Sequence, residues 1–367
     1  MSCLAGRRVN EPAMIKILHA ADLHLDTPFG GLPADKALEQ RRSQREMLDK
    51  MAEMCRELGV QLVLLSGDLL DSDRSYYETY QALYSALEKM AVPVFIAPGN
   101  HDFCGAKSPY SRYKFPDNVH IFSSPRISCV TLEKLGVRVW GAGFVSNRCP
   151  PLLDGFAVPD GDYIDIMALH GELGGTDYNP ITEASIAASG LDYLALGHVH
   201  TFSGIMTAGR TRYAYPGCPM GRGFDETGKK GVIVAQIDRN SVNASFIPLG
   251  GREYKIIEAG EDDLGANLDN ISESDIVRLV LTGKWRAQPD LGAIRASFSR
   301  RCFALTVLDR SSPLRDVWYG MEDDSLRGLF LRRMRAQYDE SGTDRELILA
   351  AVRYGLDAFD NREVPSE

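Results

Sequence analysis

Five short polar motifs, each following an apolar run, constrain the fold of this chain more than any other feature of its sequence. The motifs are Asp22-Leu23-His24, Gly67-Asp68, Gly99-Asn100-His101-Asp102, His170-Gly171-Glu172 and Gly197-His198-Val199-His200. The apolar runs before them cover residues 15–18, 62–65, 92–96, 164–169 and 191–196. These runs are too short for helices, so we predict buried strands. Loops that leave the carboxyl ends of neighbouring strands can converge on one crevice.

Helical and strand-like segments alternate early in the chain, and short strand-like runs dominate later. Apolar residues at helical spacing predict helices over residues 37–58 and 76–90. After Asn118 the pattern predicts short strands over residues 119–122, 127–132, 137–140, 211–215, 231–237 and 242–247. A two-sheet sandwich flanked by helices accommodates both halves, so we expect an α+β fold.

The composition shifts again near Gly250-Gly251. Residues 254–258, 276–281 and 303–308 then predict strands around two short helical segments, and residues 323–359 have a helical pattern. We therefore expect a catalytic domain over residues 1–250, a small α/β cap domain over 251–310 and a helical tail over 311–367. The tail either packs on its own domain or docks to a partner.

The residue types in the five motifs suit a pair of metal ions. Two divalent cations a few ångströms apart need a bridging carboxylate, while neutral imidazoles and an amide oxygen complete each shell without excess negative charge. A mixed set of histidine, aspartate and asparagine suits Mn(II), Fe(II) or Zn(II). The ordered set of motifs therefore predicts a two-metal hydrolase.

The order D-x-H, G-D, G-N-H-D, H and G-H-x-H resembles the signature of the calcineurin-like metallophosphoesterase superfamily. Residues 19–29, together with 215–219, 224–226 and 229–231, resemble the SbcD-type DNA repair exonucleases, in particular their YhaO-like branch. The resemblance implies a four-layer α/β/β/α sandwich that hydrolyses phosphodiester bonds. It also implies Mn(II) as the best cofactor for activity.

The superfamily pattern also implies roles for individual residues. One ion would be held by Asp22, His24, Asp68 and His200, and the other by Asp68, Asn100, His170 and His198. Asp68 would therefore bridge the two ions. By itself, an aspartate after a glycine at a strand end is more often a turn residue.

His101 follows the predicted ligand Asn100 and is expected to act on the substrate. An imidazole near pH 7 can protonate the leaving alkoxide or stabilise the charge of the transition state. Asp102 either accepts the other ring N–H of His101 and fixes its tautomer, or caps the loop. Glu172 is expected to support His170 from outside the ligand set.

Asp71 marks a departure from the resembled family. Many SbcD-like nucleases carry a histidine three residues after the bridging aspartate, where this chain has Asp71. Its carboxylate contacts an outer water or a substrate-binding group, or it caps the loop before the helix that begins near Ser75.

The remaining histidines and several cations lie outside the metal pattern. His19 falls within the first strand and is expected to be a core histidine with satisfied hydrogen bonds, and His120 is also outside the pattern. Arg210, Arg212 and Arg222, with Lys229 and Lys230, either form a phosphate-binding patch or belong to ordinary solvated hairpins.

The composition of the chain predicts where in the cell it is located. No apolar run approaches the roughly 18 to 20 residues of a membrane helix, and the segment before Met14 lacks the apolar stretch of a secretory signal. Seven cysteines without a Cys-X-X-Cys pair favour reduced thiols in the cytoplasm.

The formal net charge of −9 predicts weak binding of DNA by the chain alone, because duplex affinity comes largely from Lys and Arg. Resemblance to SbcD implies an SMC-like ATPase partner, which would supply the basic surface, and a possible homodimer.

We therefore expect a metal-dependent DNA exonuclease subunit that acts in DNA repair. The alternative is a phosphatase or a phosphodiesterase for small nucleotides or phosphoproteins, since the same metal core serves many phosphoesters. A non-enzymatic scaffold is the least favoured reading, because every metal-site motif is intact.

Overall fold

The computed structural model describes residues 14–72, 75–266, 271–314, 316–342 and 344–359. The chain forms two compact units. The first contains the described residues up to Ile256 together with Ser272–Arg278 and Cys302–Leu305, and the second contains the other described residues. The predicted domain boundaries after residues 250 and 310 stay predictions. The prediction about the segment before Met14 concerns residues outside the described ones.

The first sheet of the larger unit contains four parallel strands. They are β1 (Ile15–Ala20), β2 (Leu62–Leu65), β3 (Val94–Ile96) and β4 (Val119–Ile121). Two antiparallel strands extend the sheet beyond β1, namely β11 (Gly231–Ile237) and β12 (Val242–Pro248). The order of strands is β12-β11-β1-β2-β3-β4.

The second sheet has the strand order β5-β6-β7-β8-β10-β9. Its strands are β5 (Ser128–Leu132), β6 (Val137–Gly141), β7 (Ile164–His170), β8 (Tyr193–Gly197), β9 (Met206–Ala208) and β10 (Thr211–Ala214). The four strands β6, β7, β8 and β10 are parallel, and the two edge strands are antiparallel to their neighbours.

The two sheets pack face to face between helices. Apolar side chains from the inner faces of both sheets, such as Ile17, Phe95 and Ile166, form one buried core. A second core lies between the first sheet and the helices α1 (Ala34–Glu57) and α2 (Tyr77–Met90), and a third lies between the second sheet and α4 (Glu183–Ser189). This arrangement is the predicted four-layer α/β/β/α sandwich, which the structure confirms.

Local sequence explains where the helices begin and what they bury. Helix α1 follows Pro33 and buries one stripe at helical spacing, consisting of Ala37, Gln40, Gln44, Met47, Leu48, Met51, Ala52 and Cys55. Helix α4 begins with a capping box between Thr182 and Ser185, and the short α3 (Pro109–Arg112) begins at Ser108. No helix among the described residues combines the length and apolar character that crossing a membrane requires.

The described residues of the C-terminal third form a three-stranded sheet, a two-stranded ladder and three helices. The sheet has the order β13 (Tyr254–Ala259), β14 (Ile276–Leu281), β16 (Ala304–Asp309), and β15 (Lys284–Trp285) pairs with β17 (Ser312–Pro313). The helices are α5 (Leu291–Phe298), α6 (Leu326–Glu340) and α7 (Arg345–Phe359). The strands predicted near 254, 276 and 303 and the helical pattern after 323 are therefore confirmed.

His19 is a core residue of β1, as predicted. Its side chain is buried, with Nδ1 3.0 Å from the Tyr193 hydroxyl and Nε2 3.1 Å from the carbonyl oxygen of Leu196. Burial lowers the pKa of His19 to about 3, so the ring stays neutral in the folded protein well below pH 6.5.

This buried histidine makes stability depend on pH. Unfolded His19 takes up a proton below about pH 6.5 whereas folded His19 does not, so stability is lost as the pH falls from about 6.5 toward 3. In urea titrations with a chelator present, the wild type should lose up to about 1.4 kcal/mol more per pH unit than His19→Gln. The control His120→Gln, at an exposed histidine of β4, should change this slope less. Equal slopes for wild type and His19→Gln would contradict the assignment.

Candidate metal centre

The five motifs meet where strands of both sheets end. In the first sheet Ala20, Leu65 and Ile96 lie side by side at the carboxyl ends of three parallel strands. In the second sheet His170 lies beside Gly197. Six of the seven predicted ligands lie in the loops that follow these strands, and His170 is the last residue of β7, so the expected convergence on one edge is present.

The backbone at these loops is strained at the predicted ligands. Positive φ values occur at Asp22 (55°), His24 (42°), Asp68 (52°) and His198 (111°). Non-glycine residues adopt such angles rarely, and they do so mostly where the surrounding structure holds a functional side chain in place. Hydrogen bonds between the loops hold these turns, including those from the Asp22 N–H to the Gly67 carbonyl and from the His198 N–H to the Asp22 carboxylate.

The first donor set joins Asp22, His24, Asp68 and His200. The Nε2 atoms of His24 and His200 lie 3.3 Å apart. The His24 Nε2 is 3.7 Å from Asp68 Oδ2, and the His200 Nε2 is 3.8 Å from Asp22 Oδ1. Donors bonded to one ion at about 2.0 to 2.2 Å lie roughly 3 to 4 Å from one another, so these spacings fit a single cation.

The second donor set joins Asp68, Asn100, His170 and His198. The His170 Nε2 lies 2.9 Å from Asn100 Oδ1, 3.3 Å from His198 Nδ1 and 3.4 Å from Asp68 Oδ2. The His198 Nδ1 is also 3.2 Å from Asn100 Oδ1. Both sets contain Asp68, which therefore occupies the position expected of a bridge.

The hydrogen bonding of His170 explains why the second set fits a cation. A carbonyl can only accept, so Nδ1 of His170 donates its proton to the Ser66 carbonyl oxygen 2.9 Å away. Burial lowers the pKa of His170 to about 4, so Nε2 carries a lone pair near pH 7. That lone pair faces the oxygens of Asn100 and Asp68. Acceptors that face one another without a proton between them fit a divalent metal ion.

The acid–base properties of the other ligands agree with this fit. Burial lowers the pKa of both His24 and His198 to about 4, so both rings are neutral ligands at neutral pH. Burial, and then the charge of Asp68, raise the pKa of Asp22 well above its usual value. Two buried carboxylates this close favour a bound cation, which would compensate their charge.

Glu226 orients His200, a role that the sequence analysis did not assign. Its Oε1 accepts from Nδ1 of His200 at 2.7 Å, which leaves Nε2 of that ring for a metal ion. Burial alone would raise the pKa of Glu226, but hydrogen bonds from His200 and Arg222 lower it. The only signal in the sequence is that Glu226 lies in one of the stretches that resemble the SbcD-type nucleases.

Of the two roles expected for Asp102, the structure shows the loop cap, and the ring of His101 contacts a different group. The Nδ1 of the exposed His101 lies 3.2 Å from the carbonyl oxygen of Asp71, so a backbone carbonyl fixes its tautomer. The buried carboxylate of Asp102 caps the loops instead. It accepts from the N–H groups of Asp68, Leu69 and Gly99 and from the hydroxyl of Tyr110, at 3.3, 2.7, 2.8 and 2.6 Å.

Glu172 lies beside His198 and not, as expected, beside His170, and the three candidate arginines differ in what they contact. The Glu172 carboxylate is 3.8 Å from Nε2 of His198, whereas the second ring nitrogen of His170 is taken by the backbone. Arg210 pairs with Asp192, and Arg212 is in register with the first residue of β8, at the opposite end of that strand from His198. Only Arg222 of the three arginines contacts residues of the donor cluster.

Glycines in the motifs allow the loops to approach one another. A Cβ atom at Gly99 would lie 2.2 Å from Oδ1 of Asp68, and one at Gly197 would lie 1.8 Å from the carbonyl oxygen of Ser66. Neither position leaves room for a side chain. The glycines before Asn100 and His198 are therefore required by packing against the neighbouring loops.

The geometry agrees with a comparison against known families. Residues 15–202 match the model of the calcineurin-like phosphoesterase family, and the chain belongs to this family. Members of this family are phosphoesterases, and the family uses a dinuclear metal site.

Three curated proteins are similar to the chain. The uncharacterized metallophosphoesterase YhaO of Bacillus subtilis (strain 168) is 30% identical over 63% of this chain and 60% of its own length. The DNA double-strand break repair protein Mre11 of Methanopyrus kandleri is 27% identical over 78% of this chain and 69% of its own. The probable exonuclease subunit 1 of Escherichia phage T5 is 22% identical over 72% and 80%. The chain thus spans three fifths of the length of YhaO.

A methyl group at Gly99 tests the position of Asp68. Gly99→Ala should displace the Asp68 carboxylate and weaken binding of divalent metal about tenfold or more, as measured by metal content after dialysis at limiting metal. Gly31→Ala is the matched control, because its Cβ would meet no atom within 4 Å. Full metal content in a folded Gly99→Ala protein would contradict the predicted bridging role.

Proposed function

We propose that the chain is a metal-dependent phosphodiesterase that acts as a DNA exonuclease subunit in DNA repair. The observation that carries this proposal is the convergence of two sets of neutral and acidic donor atoms on the carboxylate of Asp68. Mn(II) is the proposed cofactor, with Fe(II) or Zn(II) as alternatives that suit the same donor atoms.

Each donor set would hold one of two metal ions. Asp22, His24, Asp68 and His200 would hold one, and Asp68, Asn100, His170 and His198 would hold the other. When bound, such ions lower the pKa of water and neutralise charge on phosphoryl oxygens, so hydrolysis needs no covalent bond between protein and substrate.

His101 is the proposed proton donor to the leaving oxygen. Its Nδ1 is occupied by the Asp71 carbonyl, so Nε2 is the atom that gains and gives the proton. Its backbone N–H donates to Asp68 Oδ1 at 2.9 Å, which ties the position of the donor to that of the proposed bridge. The ring packs edge-on against His24, with centroids 4.8 Å apart.

Two relatives support DNA as the substrate. One is named as a DNA double-strand break repair protein and another as a probable exonuclease subunit. The net charge of −9 means that additional cations are needed to hold a duplex, and an SMC-like ATPase partner is proposed to provide them. Free thiols at Cys55, Cys104, Cys129, Cys149 and Cys218 suit the cytoplasm as the proposed location.

The same net charge favours one alternative, an enzyme for small phosphoesters that needs no extended basic surface. A scaffold without activity has less support, because a structural role does not require four ligand positions with positive φ or facing acceptor atoms in a buried site.

Replacing the bridge should abolish activity of either kind. Asp68→Asn is expected to lose metal and to stop Mn(II)-dependent hydrolysis of both a chromogenic phosphodiester and end-labelled single- and double-stranded DNA. Asp192→Asn alters a similarly buried carboxylate away from the donor cluster and should retain activity. Stepwise shortening of DNA by the wild type supports the nuclease. Cleavage of the small ester alone, even with the ATPase partner added, favours the small-substrate enzyme.

Loss of the proton donor should give a different result from loss of the bridge. His101→Ala should keep both metal ions but lower kcat by about 10²- to 10⁴-fold for a substrate with a poorly leaving alkoxide. A chromogenic ester with an acidic leaving group should be affected much less, since it needs little protonation. Release of metal on this change would show that His101 is a ligand instead.

A further inference from the structure

Both histidines of the first donor set have a carboxylate beside the ring nitrogen that does not face the other donors. Glu226 accepts from Nδ1 of His200 at 2.7 Å. Asp71 Oδ1 lies 3.2 Å from Nδ1 of His24, off the line of the ring N–H, so this pair is a close polar contact between a neutral ring and a carboxylate. Each ring therefore presents Nε2 to the predicted ion while a carboxylate fixes its opposite side.

One arginine joins these two carboxylates. Arg222 donates from Nη2 to Glu226 Oε1 at 2.7 Å and from its backbone N–H to Glu226 Oε2 at 2.8 Å. Its Nη1 lies 3.5 Å from Asp71 Oδ1. The side chain of Arg222 is 18% exposed, so its planar fork is held in a largely buried setting. We call Asp71, Arg222 and Glu226 the arginine clamp.

The second donor set has no equivalent support. Its His170 is oriented by a neutral backbone carbonyl, that of Ser66. The carboxylate nearest to the far ring nitrogen of His198 belongs to Glu172 and is 3.8 Å away, beyond hydrogen-bond distance. Carboxylates that accept from a ligating histidine fix its orientation and make it a stronger ligand. The two sets therefore differ in how their histidines are held.

We infer that the arginine clamp is a positioning device for one of the two ions only, the ion held by Asp22, His24, Asp68 and His200. The inference rests on the two-ion part of the proposed function. It also gives Asp71 a specific role. In this chain the residue three positions after the bridging aspartate acts through the ligand His24, and it does so together with Glu226.

The test is a titration of metal-free protein with Mn(II), in which electron paramagnetic resonance counts free Mn(II). The wild type should bind two ions per chain. Arg222→Met should bind one ion unchanged and the other about 10- to 100-fold more weakly, in line with the effect of removing groups that orient ligands. At metal concentrations between the two affinities, the variant should show the spectrum of an isolated Mn(II) instead of a coupled pair.

Matched variants separate positioning from general damage. Glu226→Gln and Asp71→Asn keep the shape of the clamp and should lower the affinity for the same ion. Arg222→Lys keeps the charge without the fork and should recover part of the affinity. Arg210→Met breaks another arginine–aspartate pair, at the far end of β8, and should bind two ions normally. Circular dichroism shows which variants fold, and Glu226→Gln replaces Arg222→Met if the latter does not.

Two results would overturn the inference. If a folded clamp variant bound both ions more weakly to the same degree, the clamp would support the site in general. If it bound both ions as tightly as the wild type, the clamp would not act on metal binding. A wild-type protein that binds fewer than two ions would instead refute the two-ion proposal itself.

Discussion

The close approach of two buried carboxylates is the constraint on which the rest of the site depends. Donor atoms of Asp22, Asp68 and His170 lie within 4.8 Å of one another in a buried setting. Like charges at this distance repel strongly when water is excluded, and a cation between them compensates this repulsion. The remaining donors then follow from charge balance. Histidines with lowered pKa and the amide of Asn100 offer donor atoms without adding negative charge.

The sandwich supplies the rigidity that such a cluster needs. Strands buried on both faces end at fixed positions, and the loops after them have positive φ values at four predicted ligands. Asp102 braces two of these loops by accepting four backbone N–H groups and the Tyr110 hydroxyl. Gln44 of α1 adds a hydrogen bond of 3.0 Å to the carbonyl oxygen of His24. The ligands are therefore held by residues of the fold that do not themselves face an ion.

The sequence predicted the elements whose pattern is local and missed roles that depend on distant contacts. Apolar runs such as 62–65 identify buried strands because both faces of each strand are covered, and the spacing in 37–58 identifies α1. Helix α4 was not predicted, since it has only seven residues and depends on the capping box at Thr182. The partner of Asp102 lies on helix α3 and the partner of Glu226 lies in the loop after β8, and motif spacing encodes neither contact. The ligand roles themselves stay predictions.

Each donor set draws residues from both sheets, and this has a thermodynamic consequence. His24 follows β1 of the first sheet and His200 follows β8 of the second. In the other donor set, Asn100 follows β3 of the first sheet and His170 ends β7 of the second. An ion held by such a pair ties together two layers that otherwise pack through apolar side chains. Binding free energy then becomes folding free energy, about 2.7 kcal/mol per site at a hundredfold excess over Kd if the unfolded chain does not bind. The melting temperature of this protein should thus report metal affinity directly, with no substrate present.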